Sequence, residues 1–175
     1  MSIQPKPMKI LDRQPKCLCV EDDPDILFVI TTILKETGVE CILAQDAEQA
    51  LKAFQENDFD LVLCDIAMPG LSGLELMGKV RSRANEVPFI FVTGLSDAAF
   101  VIRAVRLGAV DFIEKPFKSD DFKKSVRRAL AIEEKRLQIV DVIKRLGAAG
   151  FEREMQQLES YFVQMSMLRG SSERL

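Results

Sequence analysis

The stretch Leu61-Val62-Leu63-Cys64-Asp65-Ile66-Ala67-Met68-Pro69-Gly70-Leu71-Ser72-Gly73 changes character at a single residue. Four apolar residues run into a carboxylate, and Pro69, Gly70 and Gly73 then mark a turn-rich loop. Beyond the loop, Leu74, Leu76, Met77 and Val80 begin a helical pattern. A strand apolar on both faces that feeds a helix is the building unit of a parallel sheet covered on both sides, and it carries Asp65 to its carboxyl end.

The same unit recurs on either side. Cys17-Leu18-Cys19-Val20 precedes a helix from Pro24 to Thr37, with Asp23 as its cap, Pro24 at the first helical position and Gly38 at the exit. Its apolar face is expected to hold Ile26, Val29, Ile30, Ile33 and Leu34. Cys41-Ile42-Leu43-Ala44 is followed by a helix that Asp46 opens, with Gln49 spaced to close a capping box and Asn57-Asp58 at its end. Phe89-Ile90-Phe91-Val92 ends at Thr93-Gly94, and a helix from about Asp97 to Leu107 stops at Gly108. The last strand, residues 110–113, ends at Lys115-Pro116, and a final helix starts near Ser119 or Asp120 with no stop before Gly147. The fold expected is α/β, a doubly wound five-stranded parallel sheet of flavodoxin-like order 2-1-3-4-5 followed by a helical hairpin. The expected boundaries are a flexible basic lead-in over 1–14, the sheet domain over 15–133, the helical extension over 134–169 and a flexible tail over 170–175.

In open sheets of this kind ligands bind at the carboxyl ends of the strands, beside the point where strand order reverses. Those ends carry Glu21-Asp22-Asp23, Asp65, Thr93 and Lys115. The first and third strands flank the reversal, which brings Glu21, Asp22 and Asp65 together, and three carboxylates repel unless a cation or proton relieves them. A hard divalent ion, most simply magnesium, suits oxygen ligands from Glu21, Asp22 and Asp65. Lys115 and Thr93 then offer a charge and a hydroxyl to phosphate oxygens, which describes phosphoryl transfer with Asp65 as nucleophile.

Composition removes the competitors. The chain of 175 residues contains no histidine, so Ser-His-Asp and Cys-His chemistry, His-ligated zinc and a phosphorylated histidine within the chain are all excluded. Its four cysteines fall in apolar runs and read as small core residues of a reducing compartment. No apolar run approaches the roughly 20 residues that span a bilayer, and a cytoplasmic protein without membrane contact is expected. Residues 17–117 hold 8 Lys/Arg against 17 Asp/Glu, a balance that suits cation binding and opposes a grip on nucleic acid.

Val20-Glu21-Asp22-Asp23-Pro24, Asp65-Ile66-Ala67-Met68-Pro69-Gly70 with Gly73, Val92-Thr93-Gly94 and the run Gly108-Ala109-Val110-Asp111-Phe112-Ile113-Glu114-Lys115-Pro116-Phe117 together resemble the receiver domain of two-component response regulators, over roughly 15–133. The resemblance implies Asp65 as phosphoacceptor, Asp22 as a direct magnesium ligand, Glu21 as a ligand through water, and the Ala67 backbone carbonyl as a further ligand. It also implies contacts of Thr93 and Lys115 to the phosphoryl group, a cis Lys115-Pro116 bond, and Phe112 as a switch aromatic that remodels an α4-β5-α5 face. Ala67 and Leu95 stand where the family tunes hydrolysis, and neither can orient a water. The expected donor is a sensor histidine kinase or histidine phosphotransferase. The protein is not expected to be an enzyme acting on other molecules, beyond catalysing its own aspartyl phosphorylation and dephosphorylation. A haloacid-dehalogenase-type phosphatase is the chemical rival, but it needs a second Asp two residues after the nucleophile, where Ala67 stands. A DNA-binding regulator cut before its output domain is the other alternative.

The extension spaces Ala129, Ile132, Arg136, Ile139, Ile143 and Leu146 as a coiled-coil seam interrupted by Arg136. After Gly147-Ala148-Ala149-Gly150, a second stripe follows: Phe151, Met155, Leu158, Phe162 and Met165. Homodimerisation through these helices is expected, with a downstream effector protein as a further partner.

Overall fold

The computed structural model describes residues 13–83, 85–94 and 98–140. The chain divides into two units, Met1–Lys135 and Arg136–Leu175. The first contains β1 (Lys16–Val20), α1 (Pro24–Thr37), β2 (Glu40–Ala44), α2 (Ala47–Glu56), β3 (Leu61–Cys64), α3 (Gly73–Arg81), β4 (Phe89–Thr93), α4 (Ala98–Arg106) and β5 (Asp111–Glu114). Residues 119–140 are helical, and we call this helix α5. The strands are all parallel in the order β2-β1-β3-β4-β5. This is the doubly wound order the sequence leads one to expect.

Register sets the ends of the central strands level. Val20 of β1 pairs with Cys64 of β3, and Cys64 with Phe91 of β4. Alternation then sorts the apolar residues between two faces. Leu18, Val20, Val62, Cys64, Phe89 and Phe91 join Ala47 and Ala50 of α2, Leu74, Met77 and Val80 of α3 and Ala104 of α4 in one core. Cys17, Cys19, Leu61 and Leu63 point the other way and are equally buried. On that side α1 lies against β1 and β2, and Lys123 of α5 pairs with Glu36 of α1.

Local signals explain most boundaries. The Asp23 carboxylate accepts from the Asp25 and Ile26 N–H groups, and Gly38 closes α1 with φ 77°. Asp46 accepts from the Gln49 N–H at 2.7 Å, but the Gln49 side chain reaches back to the Gln45 N–H, one residue before the cap. A full capping box does form at Ser72 and Glu75, where α3 begins.

Helix phase and strand ends differ in detail from the sequence expectations. The buried face of α1 is Leu27, Ile30, Ile33, Leu34 and Thr37, and Val29 is exposed. At 3.6 residues per turn that stripe keeps the i, i+3, i+4 spacing from Leu27, which leaves Val29 on its flank. The last strand begins at Asp111, one residue later than expected. Arg13 is held by a two-pronged pair with the buried Asp60, at 2.7 and 2.5 Å, and the Lys16 N–H adds a third bond to the same carboxylate at 2.8 Å. In α5 the buried residues are Phe122, Val126, Ala129, Leu130 and Glu133. Of the expected seam, Ala129 therefore faces inward, Ile132 and Ile139 are half-buried and Arg136 is exposed. Ile143, Leu146, the second stripe and Leu95 lie outside the described residues. Among the described residues no helix is long and apolar enough to cross a membrane.

Candidate functional site

Each site residue is delivered by the strand before it. Glu21 follows β1 and stays buried, its N–H bonded to the Ala44 carbonyl at 3.1 Å, while Asp22 turns out to solvent. Asp65 follows β3 and is buried, its N–H donating to the Val20 carbonyl at 2.9 Å. Lys115 follows β5, and its N–H donates to the carbonyl of Thr93, the buried last residue of β4, at 3.0 Å. The Lys115-Pro116 bond is cis.

The side chains converge. One carboxylate oxygen from each of Glu21, Asp22 and Asp65 lies within 4.8 Å of the others. The Lys115 ammonium donates to Glu21 Oε2 at 2.6 Å and to Asp65 Oδ2 at 2.8 Å. Asp65 Oδ1 accepts from the Ala67 N–H at 3.1 Å. Burial raises the pKa of Glu21, with the Lys115 hydrogen bond pulling the other way. Burial works against the charge of Lys115, but its bonds to Asp65 and Glu21 outweigh that and hold its pKa above the ordinary value.

Three carboxylates against one ammonium leave the pocket with an excess of two negative charges when all are ionised. Hard oxygen donors, close spacing and uncompensated charge fit a divalent cation, and Glu21, Asp22 and Asp65 could hold one. Lys115 stands between two of the carboxylates, so the cation the sequence assigns to phosphate is here tied to the acids. Asp23 is outside the cluster, occupied in capping α1. Phe112 is half-buried on β5 and stacks on Phe91, with ring centroids 5.9 Å apart. Sequence reasoning overlooked the Cys64 thiol, which donates to the Asp65 carbonyl, and nothing in its position as the last apolar residue of a strand signals that bond.

Residues 17–127 match the family described as the response regulator receiver domain. The chain is 36% identical over 143 residues to the C4-dicarboxylate transport transcriptional regulatory protein DctD of Pseudomonas aeruginosa, covering 82% of this chain and 30% of that one. A receiver domain protein described as CheY-like, from Methanospirillum hungatei, superposes with a TM-score of 0.67 at 29% identity, over 70% of this chain and 98% of that one. The response regulator TrrA of Thermotoga maritima, solved in complex with Mg2+-BeF, superposes with a TM-score of 0.61 at 33% identity, over 66% of this chain and 99% of that one. The chain spans under a third of the length of the DctD relative.

Proposed function

The chain belongs to the response regulator receiver domain family, and on that premise we propose that it accepts a phosphoryl group on Asp65 and passes the event to a protein partner through its α4-β5-α5 face. The observation that carries this reading is the meeting of Asp65, Glu21, Asp22 and Lys115 in one charged pocket at the ends of three strands. An Asp65 oxygen attacks phosphorus, a new P–O bond forms, and the bond to the donor breaks, leaving the donor with its electron pair. The chain has no histidine of its own, so the phosphoryl group comes from another molecule; membership of the receiver family makes that donor the phosphorylated imidazole of a sensor histidine kinase or histidine phosphotransferase.

Glu21, Asp22, Asp65 and the Ala67 carbonyl would hold magnesium, which when bound offsets charge on the transferred oxygens. Lys115 holds the Asp65 carboxylate in place before transfer, and afterwards exchanges a carboxylate for a phosphoryl oxygen. Thr93 supplies its hydroxyl to a second oxygen. Its inward movement makes room for Phe112 to leave its place on Phe91 and rotate, which reshapes the α4-β5-α5 face. That face already exposes Val101, Ile102 and Val105 on α4. Output then follows by homodimerisation through the C-terminal helices or by capture of an effector, in the cytoplasm. The DctD relative is named for transcriptional regulation, but the acidic balance of residues 17–117 favours a protein partner over nucleic acid for this part of the chain.

Acetyl phosphate and magnesium should add the mass of one phosphoryl group to the intact protein, and Asp65→Asn should abolish the gain. A chain that gains no mass, or gains it equally in Asp65→Asn, contradicts the proposal.

A further inference from the structure

The backbone of Asp65 is pinned at both ends. Its N–H is held by the Val20 carbonyl of β1. Its carbonyl oxygen accepts the Cys64 thiol at 3.0 Å, and that thiol belongs to a fully buried residue. Against the same carbonyl lies Gly73, the first residue of α3. A Cβ at position 73 would overlap the Asp65 carbonyl oxygen and lie 2.9 Å from the Cys64 sulfur. Gly73 is not among the glycines of positive φ, so the constraint is space and not backbone conformation.

The first turn of α3 cannot easily retreat. The Gly73 N–H is bonded to the Ile66 carbonyl at 3.1 Å, and the Ser72-Glu75 capping box fixes the residue before it. Any group added at 73 therefore turns the peptide between Asp65 and Ile66 or tears α3 from its cap. Turning that peptide moves the loop carrying Ala67, whose N–H holds Asp65 Oδ1, and with it the carboxylate that Lys115 grips through Oδ2.

We propose that Cys64 and Gly73 are positioning residues for Asp65: a thiol hydrogen bond and the absence of a Cβ at position 73 together fix the Asp65 carbonyl and so aim its carboxylate. The inference rests on the reading of Asp65 as phosphoacceptor and adds two residues that touch none of the reacting atoms.

The test measures the rate of phosphorylation by acetyl phosphate with magnesium, beside the thermal midpoint, for the full chain and for Cys64→Ala, Cys64→Ser and Gly73→Ala. A misplaced reacting group costs on the order of a hundredfold, and Gly73→Ala should lose about that much. Cys64→Ala should slow by about tenfold, as expected when one hydrogen bond is removed. Cys64→Ser keeps a donor and should stay within about threefold of wild type, although a hydroxyl in this apolar site makes it the less stable of the two. Opposite orders of rate and thermal midpoint support positioning, because a packing role moves both together. If Gly73→Ala does not fold, the two Cys64 variants decide alone. Cys64→Ala as fast as wild type, or Cys64→Ser as slow as Cys64→Ala, overturns the inference. A wild-type chain that accepts no phosphoryl group overturns the underlying reading instead.

Discussion

Replacing Lys115 by Met removes an ammonium from between two buried carboxylates while keeping most of the side-chain volume. The ammonium lies 2.6 Å from Glu21 and 2.8 Å from Asp65, and methionine can replace neither interaction. Two unit charges about 2.7 Å apart attract by roughly 6 kcal/mol each at an effective dielectric near 20, and desolvation of the three ions offsets much of that. Removing one partner of a buried pair costs about 3–5 kcal/mol, because the other charge is stranded. Lys115 retains some contact with solvent, its side chain being 16% exposed, and a carboxyl can escape by taking a proton. The expected loss at neutral pH, with divalent cations chelated, is therefore about 2–4 kcal/mol. With a urea slope of roughly 1–2 kcal/mol/M, the unfolding midpoint should fall by about 1–4 M. The pH dependence has a definite sign. Without Lys115, the burial that raises the Glu21 pKa loses its main opponent, so Glu21 holds its proton more tightly folded than unfolded and the native state gains stability as pH falls. The gap between variant and wild type should thus narrow markedly toward pH 5. A loss below about 0.5 kcal/mol at neutral pH, or a gap unchanged at pH 5, would refute the reasoning.

Asp22→Asn should have the opposite effect in chelator. It removes one of three mutually repelling carboxylates, so the metal-free protein should melt later by the equivalent of about 0.5–1 kcal/mol, while most of the added stability from magnesium disappears. Thermal melts with and without magnesium check both halves. The Glu75 carboxylate accepts from the Ser72 hydroxyl and N–H, which lowers its pKa below the ordinary 4.5. Its contribution is present above that value and lost as pH falls through the lowered one, so Glu75→Gln should flatten this part of an acid stability profile. Ala67 is exposed and has no group to orient a water. Ala67→Asn should shorten the lifetime of the Asp65 phosphate roughly tenfold or more, followed as decay of the phosphorylated mass. A lifetime no longer in wild type than in this variant contradicts that expectation.

The parallel sheet was legible because its signals are local. Asp23, Pro24 and Gly38 punctuate α1, and uninterrupted apolar runs name the strands. The meeting of Glu21, Asp22 and Asp65 followed from topology, since strand order fixes which strand ends are neighbours. What escaped depends on contacts distant in sequence or on helix phase. Arg13 and Asp60 are 47 residues apart, and no local pattern distinguishes Asp60 from a solvated loop acid. Val29 stays exposed because α1 has more apolar residues than one face can bury, and only packing on the sheet chooses among them. The inward turn of Glu133 at the expected seam is likewise set by packing. The Ser72-Glu75 box has its local signature, a Ser three residues before a Glu, but Pro69, Gly70 and Gly73 beside it carry an equally strong turn signal.

Asp65 is the residue proposed to carry the phosphoryl group, and the most direct measurement is to locate that group. Borohydride reduction of the acetyl-phosphate-treated protein converts an aspartyl phosphate to homoserine, and peptide mass mapping then places it. Homoserine is expected at position 65 alone. Reduction at Glu21, at Asp22 or at an acid outside the pocket would contradict it.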